Sequence, residues 1–224
     1  MFKKRKQKIQ ISPSIFAADT LNLEKEIKLI NKTSCEMIHV DIMDGIFVPN
    51  VSLPLSIIDV LNKKSNKILD VHLMVKKPID FINNISKKFK KGIITIHLEA
   101  EKPLEALELI KKLKFKAGVV IKPETSFKKM DKFLKENHEL IDNVLVMGVT
   151  PGFSGQKFKK ETINTVKNIR NILDELKSKI TIEVDGGVND KNMKSLKDAG
   201  ANILVAGSYI FSSKDYEKSI KELR

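Results

Sequence analysis

Short apolar runs rich in β-branched residues recur along the chain, and longer segments with helical spacing separate them. Each run has five or six residues, a length typical of a buried strand. Several runs are apolar at nearly every position, which is typical of parallel strands covered on both faces. The eight runs are residues 11–15, 37–41, 68–72, 93–97, 117–121, 144–148, 180–185 and 202–206.

The segments between these runs show the periodicity of amphipathic helices. Leu23, Ile27 and Ile30 follow Asp19 and Thr20, which are residue types favoured at a helix N-cap. The clearest apolar stripe comprises Ile163, Val166, Ile169, Leu173 and Leu176.

Eight strands that alternate with helices predict a parallel sheet covered by helices. Over 224 residues this pattern favours a single closed (β/α)8 barrel, the TIM-barrel architecture, formed by residues 9–224. A doubly wound open sheet is the alternative, but it usually has fewer strands and a glycine fingerprint in its first turn, which residues 14–19 lack. Residues 1–8 are expected to form a basic N-terminal extension.

The composition is that of a globular protein. With 42% hydrophobic and 31% charged residues, the chain is neither a disordered nor a fibrous protein. Cys35 is its one cysteine, so no intrachain disulfide can form. The opening segment is not followed by an apolar signal-peptide core, and no run reaches 18 apolar residues. We therefore expect a cytoplasmic protein without a membrane partner.

The formal net charge of +13 raises the hypothesis of a polyanionic partner such as nucleic acid. Five of the basic residues lie within residues 3–8. However, only 6% of residues are aromatic and tryptophan is absent, which leaves few platforms on which bases could stack. The remaining lysines fall largely on predicted helix ends and outer faces, so we expect a solvated basic surface and no nucleic-acid partner.

Candidate chemistry is concentrated at the predicted strand ends, where a barrel of this type holds its active site. His39 and Asp41 are two residues apart, which puts both side chains on one face of a strand with Cα atoms about 6.5 to 7 Å apart. Together with His72 and Asp185 they form a plausible set of ligands for Zn²⁺, Fe²⁺, Mn²⁺ or Co²⁺. Because four ligands are then available, His97 is expected to lie behind them or in the core.

Three consecutive late loops are rich in glycine: residues 151–155 (PGFSG), 185–187 (DGG) and 207–208 (GS). Glycines let backbone N–H groups approach an anion closely, and the late loops of such barrels frequently bind phosphate. The pattern therefore predicts a phosphorylated substrate.

Asp41 and Asp185 arrive from well-separated strands and can approach a substrate from opposite faces. Such a pair can remove a proton from one face of a carbon and return one to the other. A metal that polarises an adjacent carbonyl or enediolate oxygen would stabilise the developing charge. Together these residues indicate epimerisation next to a carbonyl group.

Six segments in collinear order resemble the ribulose-phosphate 3-epimerase family, and the likeness extends over residues 11–211. The segments are residues 11–19 (ISPSIFAAD), 39–50 (HVDIMDGIFVPN), 70–75 (DVHLMV), 97–100 (HLEA), 146–158 (VMGVTPGFSGQKF) and 182–188 (IEVDGGV). The resemblance implies interconversion of D-ribulose 5-phosphate and D-xylulose 5-phosphate, in the pentose phosphate pathway, by a metal-dependent homo-oligomer (dimer or hexamer).

The resemblance also assigns roles to individual residues. It implies that one divalent metal ion is bound by His39, Asp41, His72 and Asp185. Zn²⁺ and Fe²⁺ are the leading candidates for this ion, and Mn²⁺ and Co²⁺ are the alternatives. It further implies that Asp41 is the proton acceptor and Asp185 the proton donor. The residues implied to contact substrate are Ser14, His72, Gly152, Phe153, Ser154, Gly155, Asp185, Gly186, Gly187, Gly207 and Ser208, and those implied to line the site are Met43, Met74 and Met147.

The sequence departs from the family pattern at three positions. Ile46 stands where histidine is usual, Ser154 where glycine is common and Gly148 where threonine is common. None of these changes removes a metal ligand or an acid/base group, so we expect activity to survive, with altered contacts in the loop that contains Ile46.

Three alternatives remain open at this point. A 3-epimerase acting on a hexulose phosphate such as allulose 6-phosphate has similar motifs, although residues 182–188 and 97–100 favour the pentulose enzyme. A polyanion binder that reuses the barrel would account for the net charge. A catalytically silent barrel is disfavoured because all four metal ligands are intact.

Overall fold

The structure is a computed structural model that describes residues 9–153 and 155–224. The predicted basic extension, residues 1–8, and Ser154 lie outside the described residues. The rest of the chain folds as strands that alternate with helices, which confirms the predicted TIM-barrel architecture.

The described residues contain eight strands and nine α-helices, which alternate along the chain until two helices follow the last strand. The strands are β1 (Gln10–Pro13), β2 (Met37–Met43), β3 (Ile68–Met74), β4 (Gly92–His97), β5 (Lys116–Ile121), β6 (Asn143–Met147), β7 (Thr181–Asp185) and β8 (Ile203–Ala206). The helices are α1 (Leu23–Asn31), α2 (Ser56–Lys64), α3 (Pro78–Ile85), α4 (Pro103–Lys112), α5 (Phe127–Asn137), α6 (Glu161–Glu175), α7 (Met193–Ala199), α8 (Ser208–Phe211) and α9 (Tyr216–Glu222).

The strands form one parallel sheet in the order β1-β8-β7-β6-β5-β4-β3-β2. The two ends of this sheet meet, because a bridge pairs Ser14 with His39 and the Glu36 N–H donates to the Ile11 carbonyl at 3.3 Å. The sheet is therefore rolled into a barrel, and the carboxyl ends of all its strands open at the same end.

Apolar side chains fill the space between the barrel and its helices. Every residue of β2, β4 and β6 is buried, as expected for parallel strands covered on both faces. The stripe predicted for α6 packs inward, with Val166, Ile169 and Leu173 almost inaccessible to solvent. The core is thus built from the β-branched runs and helical stripes that the sequence displays.

Several element ends differ from the sequence-based prediction. β2 and β3 run two residues further than expected, to Met43 and Met74, because these two methionines still pair in register. His39, Asp41 and His72 therefore lie inside their strands and do not end them. Asp19 caps a short 3₁₀ helix at Thr20–Asn22, so α1 begins after the predicted N-cap.

No helix among the described residues combines the length and the apolar character needed to cross a bilayer.

Candidate active site

Alternation along the strands places polar side chains inside the barrel near its carboxyl end. In-register pairing sets His39 beside Asp70 and Asp41 beside His72. One nitrogen or oxygen from each of His39, Asp41, His72 and Asp185 lies within 4.8 Å of the others. The structure thus brings together all four predicted metal ligands, from β2, β3 and β7.

Asp41 lies at the centre of this cluster. Its Oδ1 is 3.2 Å from His39 Nε2 and 3.1 Å from His72 Nδ1, and its Oδ2 accepts a hydrogen bond from Ser14 Oγ at 3.0 Å. Burial favours the neutral form, but the contacts with His39 and His72 outweigh it and hold the pKa of Asp41 well below its usual range. Asp41 is therefore a carboxylate, held in place by three side chains.

His39 lies between carboxylates on both of its ring nitrogens. Its Nδ1 is 2.8 Å from Asp70 Oδ2, and its Nε2 is 3.9 Å from Asp185 Oδ2. Burial opposes protonation, but Asp41 and Asp70 together raise the pKa of His39 well above its usual value. The cluster therefore attracts positive charge, as a cation-binding site must.

A second polar layer lies below the first, deeper in the barrel. It comprises His39, Asp70 and Glu183, which also bring ligand atoms within 4.8 Å of one another. Ser12 Oγ donates to Asp70 at 2.9 Å, and Asn143 Nδ2 donates to Glu183 at 2.5 Å. Burial and the neighbouring Asp70 raise the pKa of Glu183 well above its usual range, which favours its neutral form.

The sequence analysis missed Asp70 and Glu183, although the pattern contained an indication of both. Each lies two residues before a predicted ligand on the same strand, at Asp70/His72 and Glu183/Asp185, just as His39 precedes Asp41. Residues two apart share one face of a strand. The polar pairs on β2, β3 and β7 therefore form two layers of side chains. The side chains of the lower layer orient those of the upper layer.

Asp185 is the most exposed member of the cluster, with 14% of its side chain accessible. Burial raises its pKa to about 6, and the negative charge of Asp41 adds to the shift while His39 opposes it. A carboxyl group that is partly protonated near neutral pH and reaches the cleft can donate a proton to a bound molecule.

His97 lies behind His72 and does not reach the cleft. The two Nε2 atoms are 2.9 Å apart, and burial lowers the pKa of His97 to about 4. Burial of Glu99 favours its neutral form, but the nearby His97 ring, 3.5 Å away, and hydrogen bonds from Thr125 and the Lys122 N–H dominate and lower its pKa to about 2. His97 is thus a neutral imidazole between a candidate ligand and a carboxylate.

A cleft opens above Asp41 and Asp185, and its wall contains most of the residues that the sequence analysis named. His39 and His72 lie beneath the cleft, and Ser154 lies outside the described residues. Other residues line the cleft without having been predicted: Phe16, Ala17, Val149, Thr150 and Gln156. The predicted residues in its wall are Ser14, Asp41, Met43, Met74, Met147, Gly152, Phe153, Gly155, Asp185, Gly186, Gly187, Gly207 and Ser208.

The glycines of the β7 loop are required by its conformation. Gly186 and Gly187 have φ values of 104° and 69°, in the left-handed region. A Cβ on Gly186 would come within 2.5 Å of Val149, and one on Gly187 within 3.0 Å of Phe158. Only glycine lets the backbone lie this close to the β6 loop at the edge of the cleft.

The loop after β2 packs against Gly152 in the wall of the cleft. Asp44 Oδ1 accepts the N–H groups of Ile46 and Phe47 at 2.8 Å, and its Oδ2 accepts the Lys76 N–H at 2.7 Å. Farther along, Asn50 Nδ2 donates to the Gly152 carbonyl at 2.7 Å. The loop is thus tied both to β3 and to the glycine-rich loop after β6.

Comparison with known proteins identifies the family. The sequence profile of the ribulose-phosphate 3 epimerase family matches residues 10–211. The chain belongs to this family. It is 38% identical over 217 residues to the ribulose-phosphate 3-epimerase of Bacillus subtilis (strain 168), covering 96% of this chain and 98% of that protein. It is 37% identical to the ribulose-phosphate 3-epimerase of Synechocystis sp., covering 96% and 93%. The chain is accordingly an enzyme of the ribulose-phosphate 3 epimerase family.

Solved structures of other enzymes share the fold. Orotidine 5'-phosphate decarboxylase from Pyrococcus horikoshii OT3 superposes with a TM-score of 0.68, covering 96% of this chain and 97% of that chain. At 17% sequence identity, this likeness supports the barrel architecture alone.

Two departures from the family pattern have a visible structural setting. The Ile46 side chain is 72% exposed, and its backbone N–H retains the bond to Asp44, so the loop keeps its shape without histidine. At Gly148, a Cβ would lie 2.2 Å from the Gly186 carbonyl oxygen. The loops after β6 and β7 therefore approach more closely here than threonine would allow.

We expect Asp44→Ala to destabilise the protein by about 1 to 3 kcal/mol, because three backbone N–H groups lose a charged acceptor. These hydrogen bonds outweigh burial and lower the pKa of Asp44 in the fold. Its contribution is therefore complete at neutral pH and is lost as the pH falls through the folded-state pKa. Urea unfolding at pH 7 and in acid measures both effects.

Glu108→Ala, on an exposed position of α4, is the matched control and should change stability by less than about 0.5 kcal/mol. Equal losses for the two variants at pH 7 would mean that the Asp44 contacts do not stabilise the loop.

Proposed function

We propose that this enzyme epimerises a ketose phosphate at C3 and interconverts D-ribulose 5-phosphate and D-xylulose 5-phosphate. The observation that carries the proposal is the cluster of two imidazoles and two carboxylates within 4.8 Å at the floor of a glycine-lined cleft. Membership of the ribulose-phosphate 3 epimerase family and the names of the relatives support the same substrate.

The residues present fit a divalent metal ion. His39, Asp41, His72 and Asp185 offer two nitrogen and two oxygen ligands, a mixed set that suits Zn²⁺, Fe²⁺, Mn²⁺ and Co²⁺. Asp70 lies behind His39 at 2.8 Å, in the manner of the carboxylates that commonly orient metal-binding histidines. We propose that these four residues hold one ion per chain, with Zn²⁺ or Fe²⁺ as the leading candidates.

A divalent ion bound there would polarise the substrate carbonyl and stabilise the charge that develops on deprotonation, typically by several kcal/mol. Asp41, a carboxylate fixed by Ser14, His39 and His72, would accept the proton from C3 of ribulose 5-phosphate through a carboxylate oxygen. Asp185 would return a proton to the opposite face of C3, and the two residues exchange roles in the reverse direction.

The other end of the cleft suits the phosphate group. Backbone at Gly152, Gly155, Gly186, Gly187 and Gly207 lines it without side chains that would exclude an anion. We propose that Phe153, Ser154 and Ser208 complete this end, and that Met43, Met74 and Met147 form an apolar wall near the carboxylates. Ser14 would contact the substrate beside Asp41.

The biological setting is proposed from the same likeness. We place the reaction in the pentose phosphate pathway of the cytoplasm and expect a homo-oligomer, a dimer or a hexamer. Leu21, Ile46 and Val51 are more than two-thirds exposed, and burial of such apolar side chains would favour association. Light scattering on the purified protein measures the oligomeric state.

Purified protein supplied with Zn²⁺ or Fe²⁺ should convert D-ribulose 5-phosphate to D-xylulose 5-phosphate. A coupled assay for xylulose 5-phosphate measures the rate. A second coupled assay, which detects the C3 epimer of allulose 6-phosphate, tests the hexulose alternative. We expect a higher kcat/KM for D-ribulose 5-phosphate than for allulose 6-phosphate. If C3 epimerisation is absent with all four candidate metals, the proposed activity is refuted.

Elemental analysis after dialysis should find one divalent ion per chain in the wild type. His39→Ala and His72→Ala should each lose it, because each removes a nitrogen ligand from the cluster. His138→Ala is the matched control, since His138 precedes β6 at the other end of the barrel and should retain the ion. Equal metal content in all three variants would disprove the assigned ligand set.

Asp185→Asn should lower kcat by about 10² to 10⁴, since an amide cannot act as a general acid. Metal content measured in parallel separates this effect from loss of the ion. In D₂O, the variant should still exchange the C3 hydrogen of ribulose 5-phosphate through Asp41 without inverting the centre. Asp190→Asn, an exposed residue of the same loop, should leave kcat within about twofold. Turnover of Asp185→Asn within a few-fold of wild type would rule out the two-carboxylate mechanism.

A further inference from the structure

A line of polar contacts leads from His72 away from the cleft and toward the loop after β4. His72 Nε2 lies 2.9 Å from His97 Nε2, and the two rings stack with their centroids 5.1 Å apart. Both imidazoles are fully buried. One of the two Nε2 atoms must carry a hydrogen and the other must accept it, so the proton positions of the two rings are linked.

The far end of this line is Glu99. Its Oε2 lies 3.5 Å from His97 Nδ1, and among residues 9–153 and 155–224 neither atom has a hydrogen-bond partner within the usual distance. The other oxygen, Oε1, accepts the Lys122 N–H at 2.9 Å and the Thr125 hydroxyl. Glu99 is therefore fixed by its neighbours and directs a carboxylate oxygen at His97 Nδ1.

A carboxylate accepts hydrogen bonds and donates none, so the nitrogen that faces it is the one that carries a hydrogen. With the hydrogen on His97 Nδ1, His97 Nε2 is the acceptor and His72 Nε2 must be the donor. His72 Nδ1, 3.1 Å from Asp41 Oδ1, is then the nitrogen left to bind a proton or a cation. Asp41 faces His72 Nδ1 as Glu99 faces His97 Nδ1, so the two carboxylates compete for the hydrogens of the line, and the order that Glu99 favours is the one that leaves His72 Nδ1 open to a cation.

We propose that Glu99 is a positioning residue: acting through His97, it keeps a hydrogen on Nε2 of His72 and so presents Nδ1 to the metal ion. This inference rests on the proposed function, because it concerns how the chain prepares His72 as a ligand. Glu99 does not touch the cleft and has no direct part in proton transfer to the substrate.

The arrangement parallels that of the other imidazole ligand. His39 Nδ1 contacts the Asp70 carboxylate directly at 2.8 Å, whereas His72 reaches its carboxylate through a second imidazole. The Phe47 ring packs on His97 with centroids 4.7 Å apart and holds that ring in place. Both histidine ligands thus have a carboxylate behind them, which is how proteins commonly select one tautomer of a metal-binding imidazole.

Glu99→Gln is the sharpest test because it keeps the size of the side chain and an acceptor for the Lys122 N–H. Its amide NH₂ would then face His97 Nδ1 and reverse the proton order, which would put a hydrogen on His72 Nδ1. We expect Zn²⁺ affinity, measured by competition with a chromophoric chelator, to fall by about 10- to 100-fold. Glu101→Gln removes the same charge from an exposed position of the same loop and should stay within about twofold.

A second measurement reads the proton positions directly. Side-chain ¹⁵N shifts of His72 and His97 in the metal-free protein should show hydrogen on His72 Nε2 and His97 Nδ1, and the reverse order in Glu99→Gln. The inference is overturned if the wild-type protein carries no hydrogen on His72 Nε2. It is also overturned if a folded Glu99→Gln variant keeps the Zn²⁺ affinity and the proton order of the wild type.

The role of Glu99 and the proposed function can fail separately. If Glu99→Gln does not fold, as judged by thermal unfolding, the wild-type spectrum alone decides the inference. If the wild type neither binds a metal nor epimerises ribulose 5-phosphate, the proposed function fails, while the spectrum still reports whether Glu99 sets the proton order.

Discussion

The in-register parallel pairing of β2 with β3 is the constraint on which the site depends. It sets His39 beside Asp70 and Asp41 beside His72, all on the inner face of the barrel. Because side chains alternate along a strand, a slip of one strand by one residue would turn its two polar groups toward the helices and bring apolar side chains inside. The apolar residues between them, Val40 and Val71, pack outward in the helix-facing core and thereby hold the register.

Burying so many polar groups is unfavourable unless each finds a partner. Here each layer supplies partners to the next: Ser12 and His39 bind Asp70, and Ser14, His39 and His72 bind Asp41. Opposite pKa shifts reduce the electrostatic cost further, since the pKa of Glu183 is raised while that of Asp70 is lowered, chiefly by His39 acting against burial. The result is a rigid floor on which the ligand atoms of the upper layer hold fixed positions, which a preorganised site requires.

Much of the fold could be predicted from the sequence, because parallel strands buried on both faces leave nearly continuous apolar runs. The same reasoning failed at the ends of β2 and β3, where polar side chains inside the barrel were taken as strand ends although Met43 and Met74 continue the pairing. The convergence of His39, Asp41, His72 and Asp185 could be predicted because alternation on a strand is a local property. Contacts such as Asn50 with Gly152 join residues 102 apart through loop conformation, so no local pattern could reveal them.

The charge of the chain acquires a physical meaning from this arrangement. The chain carries a formal net charge of +13, and no lysine of the described residues is buried, whereas the barrel interior near the cleft carries carboxylates. A positive exterior raises the local concentration of an anionic sugar phosphate and speeds its encounter with the protein. In the proposed reaction, the carboxylates of β2 and β7 would repel the phosphate and leave the glycine-lined end of the cleft as its favourable position. Under the proposed function, this distribution of charge would orient the substrate as well as attract it, with its reacting carbon toward Asp41 and Asp185.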